Sequence, residues 1–376
     1  MKQGKTLAGL GRELERQRNA RKDFVADTRS LAMATDNGQS VLTVTLGGAK
    51  QDFGVGELAH QQISSRLGIP YRYYQRMQKE QPKLLDANVN TWFRETPERR
   101  MVRIMDGNVR AFLSDRYRRL DHLELCTAVL PVINEIKGAS IESCEVTETH
   151  LYLKVINKRL KAEVTVGDVV QAGFVISNSE VGVGSLKVEP LVYRLICKNG
   201  LICKDYAQKK YHVGRQVAGS DEAYEIFSDE TLAQDDKAFF MKVQDTVRCA
   251  VDEAKFLLTV DKMREAMGVP LEHDPVKEVE LLADKFMLTQ NERGDVLRQL
   301  FMSGDNSRYG LFNAVTAASQ ISDSYERATD LERIGGEILA MSVPSRPMLP
   351  QAVTVEPERQ MIDVTPYPQE LVAATA

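Results

Sequence analysis

Residues 101–113 read Met101-Val-Arg-Ile-Met105, then Asp106-Gly107-Asn108, then Val109-Arg-Ala-Phe-Leu113. The two outer runs alternate in character, as the two faces of a strand do. The central Asp-Gly-Asn favours a tight turn, because Gly and Asn tolerate the positive φ that hairpin turns need. This stretch therefore predicts an antiparallel β-hairpin, and with it a fold built on a β-sheet.

Further strands and helices are predicted on both sides of the hairpin. A strand over residues 41–46 and helices between about residues 58 and 92 precede it. A helix over about 121–136 and a strand-rich stretch over about 143–202 follow it. After about residue 220 the apolar residues recur at helical spacing instead. The predicted fold class is α+β: a central, mostly antiparallel sheet with flanking helices, followed by a helical C-terminal region.

Four segments are predicted along the chain. Residues 1–30 are basic with few large apolar side chains, and are interpreted as a flexible arm or a frayed helix, while residues 31–215 form the α+β core domain. Residues 220–341 form a helical region with one apolar stripe from Phe239 to Leu257 and a helix start at Asp274-Pro275. Residues 342–376 hold 6 of the 13 prolines and are predicted to be a disordered tail.

Composition indicates a globular, cytoplasmic protein. Of the 376 residues, 43% are hydrophobic and 27% are charged, which argues against wholesale disorder. No apolar run approaches the roughly 20 residues that span a bilayer. The first residues also lack the apolar core of a secretory signal. Neither a membrane partner nor export is therefore expected.

Cysteine and histidine usage predicts neither disulfides nor a metal. The five cysteines are odd in number and scattered over a long chain, unlike a disulfide framework. Cys197 and Cys203 lie six positions apart with His212 beyond them, which is not the spacing of a zinc site. The cysteines are therefore interpreted as core and strand thiols.

Catalytic motifs are scarce. Asp115, Asp121 and His122 lie close enough in sequence to ligate a metal or to act as acid and base, but nothing in the sequence defines their geometry. No nucleophile elbow or kinase signature is present. The prediction is therefore no catalytic residue, no metal and no cofactor, while enzymatic activity stays open as an alternative that no motif supports.

Charge is distributed unevenly although the net charge is only −4. Residues 66–119 carry 13 Lys and Arg against 6 Asp and Glu, a local balance of +7. Residues 221–295 carry 19 acidic residues against 9 basic ones, a balance of −10. Such asymmetry indicates a face for a polyanion in the first segment. The alternative is that the two segments neutralise each other within the fold.

Residues 60–77 have the spacing of a helix-turn-helix. Ile63 and Leu67 are apolar, Gly68 suits the turn, and a second helix after Pro70 carries basic side chains. Such side chains reach phosphates or base edges when the second helix enters a groove. An ordinary helical hairpin inside a larger core uses the same packing positions, so both interpretations stay open.

Basic and aromatic residues are interleaved along this part of the chain. Arginine suits phosphate because its planar fork makes two contacts, and tyrosine stacks on unpaired bases. Most other aromatics nearby, Trp92 included, are assigned to the core. The predicted nucleic-acid contacts are Arg66, Arg72, Tyr73, Arg76, Arg103, Arg110, Arg116, Tyr117, Arg118 and Arg119.

Several long runs resemble the phage- and plasmid-associated family catalogued as domain of unknown function nine-three-two. The resemblance covers about residues 50–340 and includes the runs Leu67-Gly-Ile-Pro-Tyr-Arg-Tyr-Tyr-Gln-Arg-Met77, Arg110-Ala-Phe-Leu-Ser-Asp-Arg-Tyr-Arg-Arg-Leu-Asp121, Gln171-Ala-Gly-Phe-Val-Ile-Ser-Asn-Ser-Glu-Val-Gly-Val-Gly184 and Tyr309-Gly-Leu-Phe-Asn-Ala-Val-Thr-Ala317. It implies an origin on mobile genetic elements, and it carries no catalytic residue over to this chain.

The sequence thus predicts a DNA-binding accessory protein, with single-stranded DNA as the expected partner and annealing in recombination or replication as the expected role. Three alternatives stay open. The first is a sequence-specific regulator of the helix-turn-helix type. The second is a protein without nucleic-acid activity, whose acidic helices after Asp221 bind a host protein. A metal-dependent nuclease is the third, and a homo-oligomer is compatible with each of them.

Overall fold

Two β-sheets form the centre of the computed structural model, which describes residues 1–117, 120–203 and 229–341, except for the side chains of 229–233, 235 and 236. The strands are β1 (Arg21–Asp27), β2 (Leu31–Asp36), β3 (Gln39–Leu46), β4 (Ala49–Val55), β5 (Arg99–Met105), β6 (Asn108–Ser114), β7 (Ala139–Val146), β8 (Leu151–Glu163), β9 (Val169–Asn178), β10 (Lys187–Arg194) and β11 (Asn199–Ile202). The helices are α1 (Leu7–Ala20), α2 (Glu57–Arg66), α3 (Tyr71–Glu80), α4 (Pro82–Glu95), α5 (His122–Glu135), α6 (Asp229–Arg248), α7 (Glu253–Met267), α8 (Pro275–Phe286), α9 (Gln290–Ser303), α10 (Arg308–Ala318) and α11 (Tyr325–Met341).

The first sheet has six strands in the order β1-β5-β6-β4-β3-β2. The predicted hairpin is present as β5 and β6, with Met105 opposite Asn108. Asp106 and Gly107 between them adopt φ values of 52° and 77°, which is the left-handed conformation at both centres of a tight hairpin turn. Only the pairing of β4 with β6 is parallel among the described strand pairs.

Helices α2, α3 and α4 cover one face of the first sheet. Their buried side chains, among them Ile63, Tyr74 and Phe93, pack against Val102 and Ile104 of β5 in one apolar core. Because side chains alternate along a strand, Arg103 between those two residues points to the opposite face. The two faces of this sheet therefore have different surroundings.

The second sheet has five antiparallel strands in the order β11-β10-β9-β8-β7 and is covered on both faces. Leu153 of β8 belongs to the core formed with α1, α5 and α6. Its neighbour Lys154 points the other way, where its Nζ lies 2.6 Å from Glu332 Oε2 of α11. Both side chains of this ion pair are fully buried.

The predicted α+β class is confirmed, but the strands form two sheets rather than one central sheet. The helical C-terminal region folds back onto the second sheet, since Leu201 of β11 shares a core with Phe312 and Leu331 of the last two helices. The described residues all lie in one compact unit. None of the described helices is long and apolar enough to cross a membrane.

Residues 1–30 are not the flexible arm that their basic composition predicted. They form α1 and β1, and β1 pairs along its whole length with β5. Leu10 and Leu14 of α1 are buried in the core under the second sheet. These two apolar residues, one turn apart, are enough to pack the helix against the core. They are too few to predict the helix from the periodicity of the sequence.

The predicted apolar stripe from Phe239 to Leu257 is divided between two helices. Asp252 begins α7 by accepting a hydrogen bond from the backbone N–H of Lys255. The predicted helix start at Asp274-Pro275 is confirmed, with Asp274 capping α8. The predicted tail, residues 342–376, and residues 204–228 lie outside the described part of the chain.

Candidate nucleic-acid interface

The ten predicted nucleic-acid contacts lie in different environments. Two of them fall outside the described residues: Arg118 and Arg119. Three are engaged inside the fold: Arg103, Arg110 and Tyr117. The other five have exposed side chains: Arg66, Arg72, Tyr73, Arg76 and Arg116. Helix α3 carries three of these five, which makes it the centre of the candidate site.

The exposed residues of α3 are Arg72, Tyr73, Arg76, Lys79 and Glu80, and the first four are called the α3 face below. The three basic residues recur at intervals of four and three, so they lie in a row along one side of the helix. Arg76 makes an exposed ion pair with Glu80 one turn later, a contact of little strength. The Tyr73 side chain is 49% exposed beside this row.

The opposite side of α3 is anchored, which holds the α3 face in place. Tyr74 and Met77 are buried against the first sheet. The Tyr74 hydroxyl lies 2.9 Å from Nδ1 of the buried His60, and the amide of Gln78 donates to the backbone carbonyl of Gly38. Burial lowers the pKa of His60 to about 4. The exposed side chains of the α3 face therefore project from a helix that is fixed to the rest of the fold.

A groove of about 440 Å³ lies beside the end of α2 and the end of α4. Arg66 and Trp92 line it, and the Arg66 guanidinium binds both carboxylate oxygens of Glu98. The assignment of Trp92 to the core is wrong, because its side chain is 45% exposed. The signal was in the spacing: Leu85, Val89 and Phe93 form the buried stripe of α4, and Trp92 lies one position off it.

Arg103 is not a surface contact, contrary to its prediction. Its side chain has no exposed area, and it forms ion pairs with Asp23 of β1 and with Asp121, the residue before α5. It also donates to the backbone carbonyl of Glu180. The reason is the alternation along β5, which directs Arg103 to the face that is covered by these segments.

The same buried ion cluster contains Arg21, Asp23, Arg103, Arg110, Asp121 and Glu180. Burial alone would lower the pKa of Arg103, but the carboxylates of Asp121 and Asp23 raise it above its usual range. Burial would raise the pKa of Asp121, yet Arg103 and Arg21 hold it below its usual value. Arg103 and Asp121 thus keep their charges because each has partners of opposite sign.

Arg110 and Tyr117 also make their hydrogen bonds within the protein. Arg110 donates to Glu180 Oε1 at 2.7 Å and to the backbone carbonyl of Glu148 at 3.0 Å. The Tyr117 hydroxyl donates to the carbonyl of Ser179 at 3.1 Å, and burial raises the pKa of Tyr117. Arg110 thus ties β6 to the connections between β9 and β10 and between β7 and β8, and Tyr117 ties the segment after β6 to the connection between β9 and β10. Neither residue is available to a nucleic acid in this arrangement.

No catalytic or metal geometry emerges from the residues that the sequence left undecided. Asp115 lies in the turn after β6, whereas Asp121 is held by arginines and His122 is buried. Among the described residues, no group of three or more His, Cys, Asp or Glu side chains could hold a metal ion. Cys126 and Cys144 are buried, as core thiols are, whereas Cys197 and Cys249 are exposed in turns, so the interpretation as core and strand thiols is wrong for these two.

Comparison with known proteins adds no further identification. The chain matches no family model, and no curated protein or solved structure matches it either. The resemblance to the phage- and plasmid-associated family therefore stays a prediction.

Proposed function

We propose that this protein binds nucleic acid through the α3 face and prefers single-stranded DNA. The observation that carries the proposal is Tyr73, a half-exposed aromatic ring beside the row formed by Arg72, Arg76 and Lys79 on a rigid helix. Large aromatic side chains are usually buried, so one presented beside a row of cations on a surface is informative. Basic side chains that follow a backbone and an aromatic ring that stacks on a base are the two features of single-strand binding.

The contacts divide into two kinds. Arg72, Arg76 and Lys79 neutralise phosphates, and counterion release makes this part of the affinity dependent on salt. Tyr73 stacks on one base, which is worth about 1–3 kcal/mol. Trp92, at the groove beside Arg66, offers a second ring for stacking. Neither kind of contact reads a base edge, so this mode of binding tolerates many sequences.

The biological role that fits this mode is that of a cytoplasmic accessory protein of phage or plasmid DNA metabolism. Binding or annealing of single strands in recombination or replication requires affinity for phosphate and stacking without sequence preference. The mobile-element part of this proposal comes from the family resemblance, and the single-strand part comes from the α3 face. The two parts can be tested separately.

A sequence-specific regulator is the second candidate, and the connection between α2 and α3 favours it. Gly68 adopts a φ of 67° after the end of α2, as the turn of a helix-turn-helix motif requires. The exposed Arg72 stands in the first turn of α3, where recognition helices contact bases. This candidate predicts one preferred duplex site, whereas the first predicts a preference for single strands of any sequence.

The test is fluorescence anisotropy with labelled single-stranded and duplex DNA over a series of salt concentrations. The variant Arg72→Ala/Arg76→Ala/Lys79→Ala should weaken single-strand binding at least tenfold and reduce the salt slope by about 0.7 for each phosphate that is no longer neutralised. The matched control is Lys277→Ala/Arg293→Ala/Arg298→Ala, which removes the same charge from exposed positions of α8 and α9. The control should bind as the unmodified protein does.

The separate variant Tyr73→Ala tests stacking without a change in charge. It should weaken single-strand binding by about 1–3 kcal/mol and leave the salt slope unchanged. Preference for one duplex sequence in a selection experiment would favour the regulator instead. Absence of binding to either form of DNA would refute both candidates and direct attention to a protein partner for the acidic helices.

A further inference from the structure

A second concave site lies on the opposite side of the first sheet from the α3 face. It is a cavity of about 530 Å³ between α1, α5 and α6, at the end of β5. Its apolar wall includes Leu14, Met105, Leu123 and Phe240. Met105 points to the same side of β5 as Arg103, whereas α2, α3 and α4 cover the other side. The cavity is therefore independent of the proposed nucleic-acid interface.

His122 is a lining residue of this cavity, and its ring carries a buried donor. The side-chain amide of Asn178 donates to the carbonyl of Leu120, which identifies its nitrogen, and that nitrogen lies 3.1 Å from His122 Nδ1. Because an amide nitrogen only donates, Nδ1 is the acceptor, and the neutral ring carries its proton on Nε2. His122 is 1% exposed, and its Nε2 has no hydrogen-bond partner within the described part of the chain.

Gln17 is also a lining residue, and its side chain carries a buried acceptor. Its Nε2 donates to Glu13 Oε1 at 2.9 Å, which identifies Oε1 as the other atom of the amide. That Oε1 is buried and has no partner among the described residues. A buried polar group without a partner costs about 1–3 kcal/mol. Both unpartnered atoms have almost no accessible area, so they lie within the cavity wall and do not face the open volume.

The charges around the cavity favour an anion. The carboxylates of Asp121 and Glu180 in its lining are already bound by arginines of the buried ion cluster. Arg18 of α1 and Lys237 of α6 line the cavity with exposed side chains, and Glu124 is the acidic residue beside them. The first turn of α5 also lines it, and a helix N-terminus adds positive potential.

We propose that this cavity binds a small organic anion with an apolar body. The apolar body lies against Leu14, Leu123 and Phe240. The anionic group lies near Arg18 and Lys237. A volume of about 530 Å³ is in the usual range of small-molecule sites, roughly 300–1,000 Å³, and a mostly apolar wall with few polar groups is also usual there.

The test uses two fluorescent probes that share an aromatic body. 8-Anilinonaphthalene-1-sulfonate carries an anionic group, and N-phenyl-1-naphthylamine lacks it. Titration should show one saturable site per chain for both probes. Arg18→Ala should weaken the sulfonate probe about fivefold and the neutral probe less than twofold. Arg12→Ala is the matched control, because Arg12 is exposed on the same helix and does not line the cavity.

Two variants that fill the cavity decide whether the probes bind there. Ala128→Phe places a ring inside it, and Thr127→Trp blocks it from an exposed position that should not disturb folding. Circular dichroism and urea unfolding check that each variant folds. Loss of both probes in either folded variant supports the proposal. Binding that both folded variants leave unchanged would overturn it, and equal effects of Arg18→Ala on both probes would overturn its anionic part.

Discussion

His60 is a neutral histidine held between α2, α3 and the first sheet. Its side chain is 2% exposed, with Tyr74 and Gln78 as its hydrogen-bond partners. Burial lowers its pKa from 6.5 to about 4, against a smaller opposite effect of Glu57. The unfolded chain therefore binds a proton between pH 6.5 and 4 that the folded chain does not bind. Stability must fall as the pH decreases through this range.

We predict that the free energy of unfolding decreases by about 2 kcal/mol from pH 7.5 to pH 5 on account of His60 alone. The variant His60→Gln should lose this part of the pH dependence, while His122, whose pKa burial lowers to about 4 as well, keeps its own part. Urea unfolding at several pH values measures it. His273→Gln, at an exposed position, is the control. An unchanged pH dependence in His60→Gln would contradict the prediction.

At the residue scale, the sequence shows which side chains are basic or aromatic, but it does not show which of them are accessible to solvent. Arg72 and Tyr73 are exposed as expected because α3 buries a different side. Arg103 is buried because carboxylates that lie 80 positions before it and 18 after it meet on its face of β5. Contacts so distant in sequence leave no local pattern, so periodicity could not have found them.

At the element scale, features with local chemistry were predictable. The hairpin turn, the capping Asp274 and the helices on either side of Gly68 lie where the sequence predicts them. Helix α9 had no strong stripe and was missed, although Thr289 and Glu292 form a capping box at its start. The division of the strands into two sheets depends on pairing between distant segments, which no single segment specifies.

Helix α11 and strand β11 approach each other more closely than a side chain would allow. A Cβ added to Gly336 would lie 1.9 Å from the backbone carbonyl oxygen of Ile202. Because the strand backbone beneath this helix cannot move aside without disturbing its sheet, we predict that Gly336→Ala destabilises the protein by about 1–3 kcal/mol or more. Chemical denaturation measures the effect as a lower midpoint.

Gly294 of α9 provides the matched control for this substitution. A Cβ at Gly294 would meet nothing within 4 Å, so the helical preference of alanine is the only expected effect. Gly294→Ala should raise stability by up to about 1 kcal/mol. The same substitution in two helices thus has opposite predicted signs. A neutral Gly336→Ala would show that α11 can move away from β11 without loss.

At the scale of the whole molecule, the buried ion cluster joins two bodies that have cores of their own. The first sheet with α2, α3 and α4 has one core, and the second sheet with its helices has others. Arg103 of the first sheet binds Asp121 before α5 and the backbone carbonyl of Glu180 after β9. A buried charge that loses its partner is unfavourable by about 3–5 kcal/mol, so each half holds the other in place.

We predict that Arg103→Met separates the unfolding of the two halves. Trp92 is the only tryptophan and lies on α4 of the first half, whereas far-ultraviolet circular dichroism reports on both halves. In the unmodified protein the two signals should change together during urea unfolding. In Arg103→Met the carboxylates of Asp23 and Asp121 lose a partner, and the fluorescence transition should move to a lower urea concentration than the main circular dichroism transition.

Arg100→Met is the control that distinguishes a loss of coupling between the two halves from a general loss of stability. Arg100 lies on the same strand and is mostly buried, but its partners Glu98 and Phe112 both belong to the first half. Its removal should lower the midpoints of both signals together, because the cluster that joins the halves remains intact. Coincident transitions in Arg103→Met would mean that apolar contacts of Met101 and Leu113 with Val181 are sufficient to couple the halves. In that case Arg103 serves to neutralise the carboxylates that it contacts. Its removal should then lower the free energy of unfolding, while the fluorescence and circular dichroism transitions still coincide.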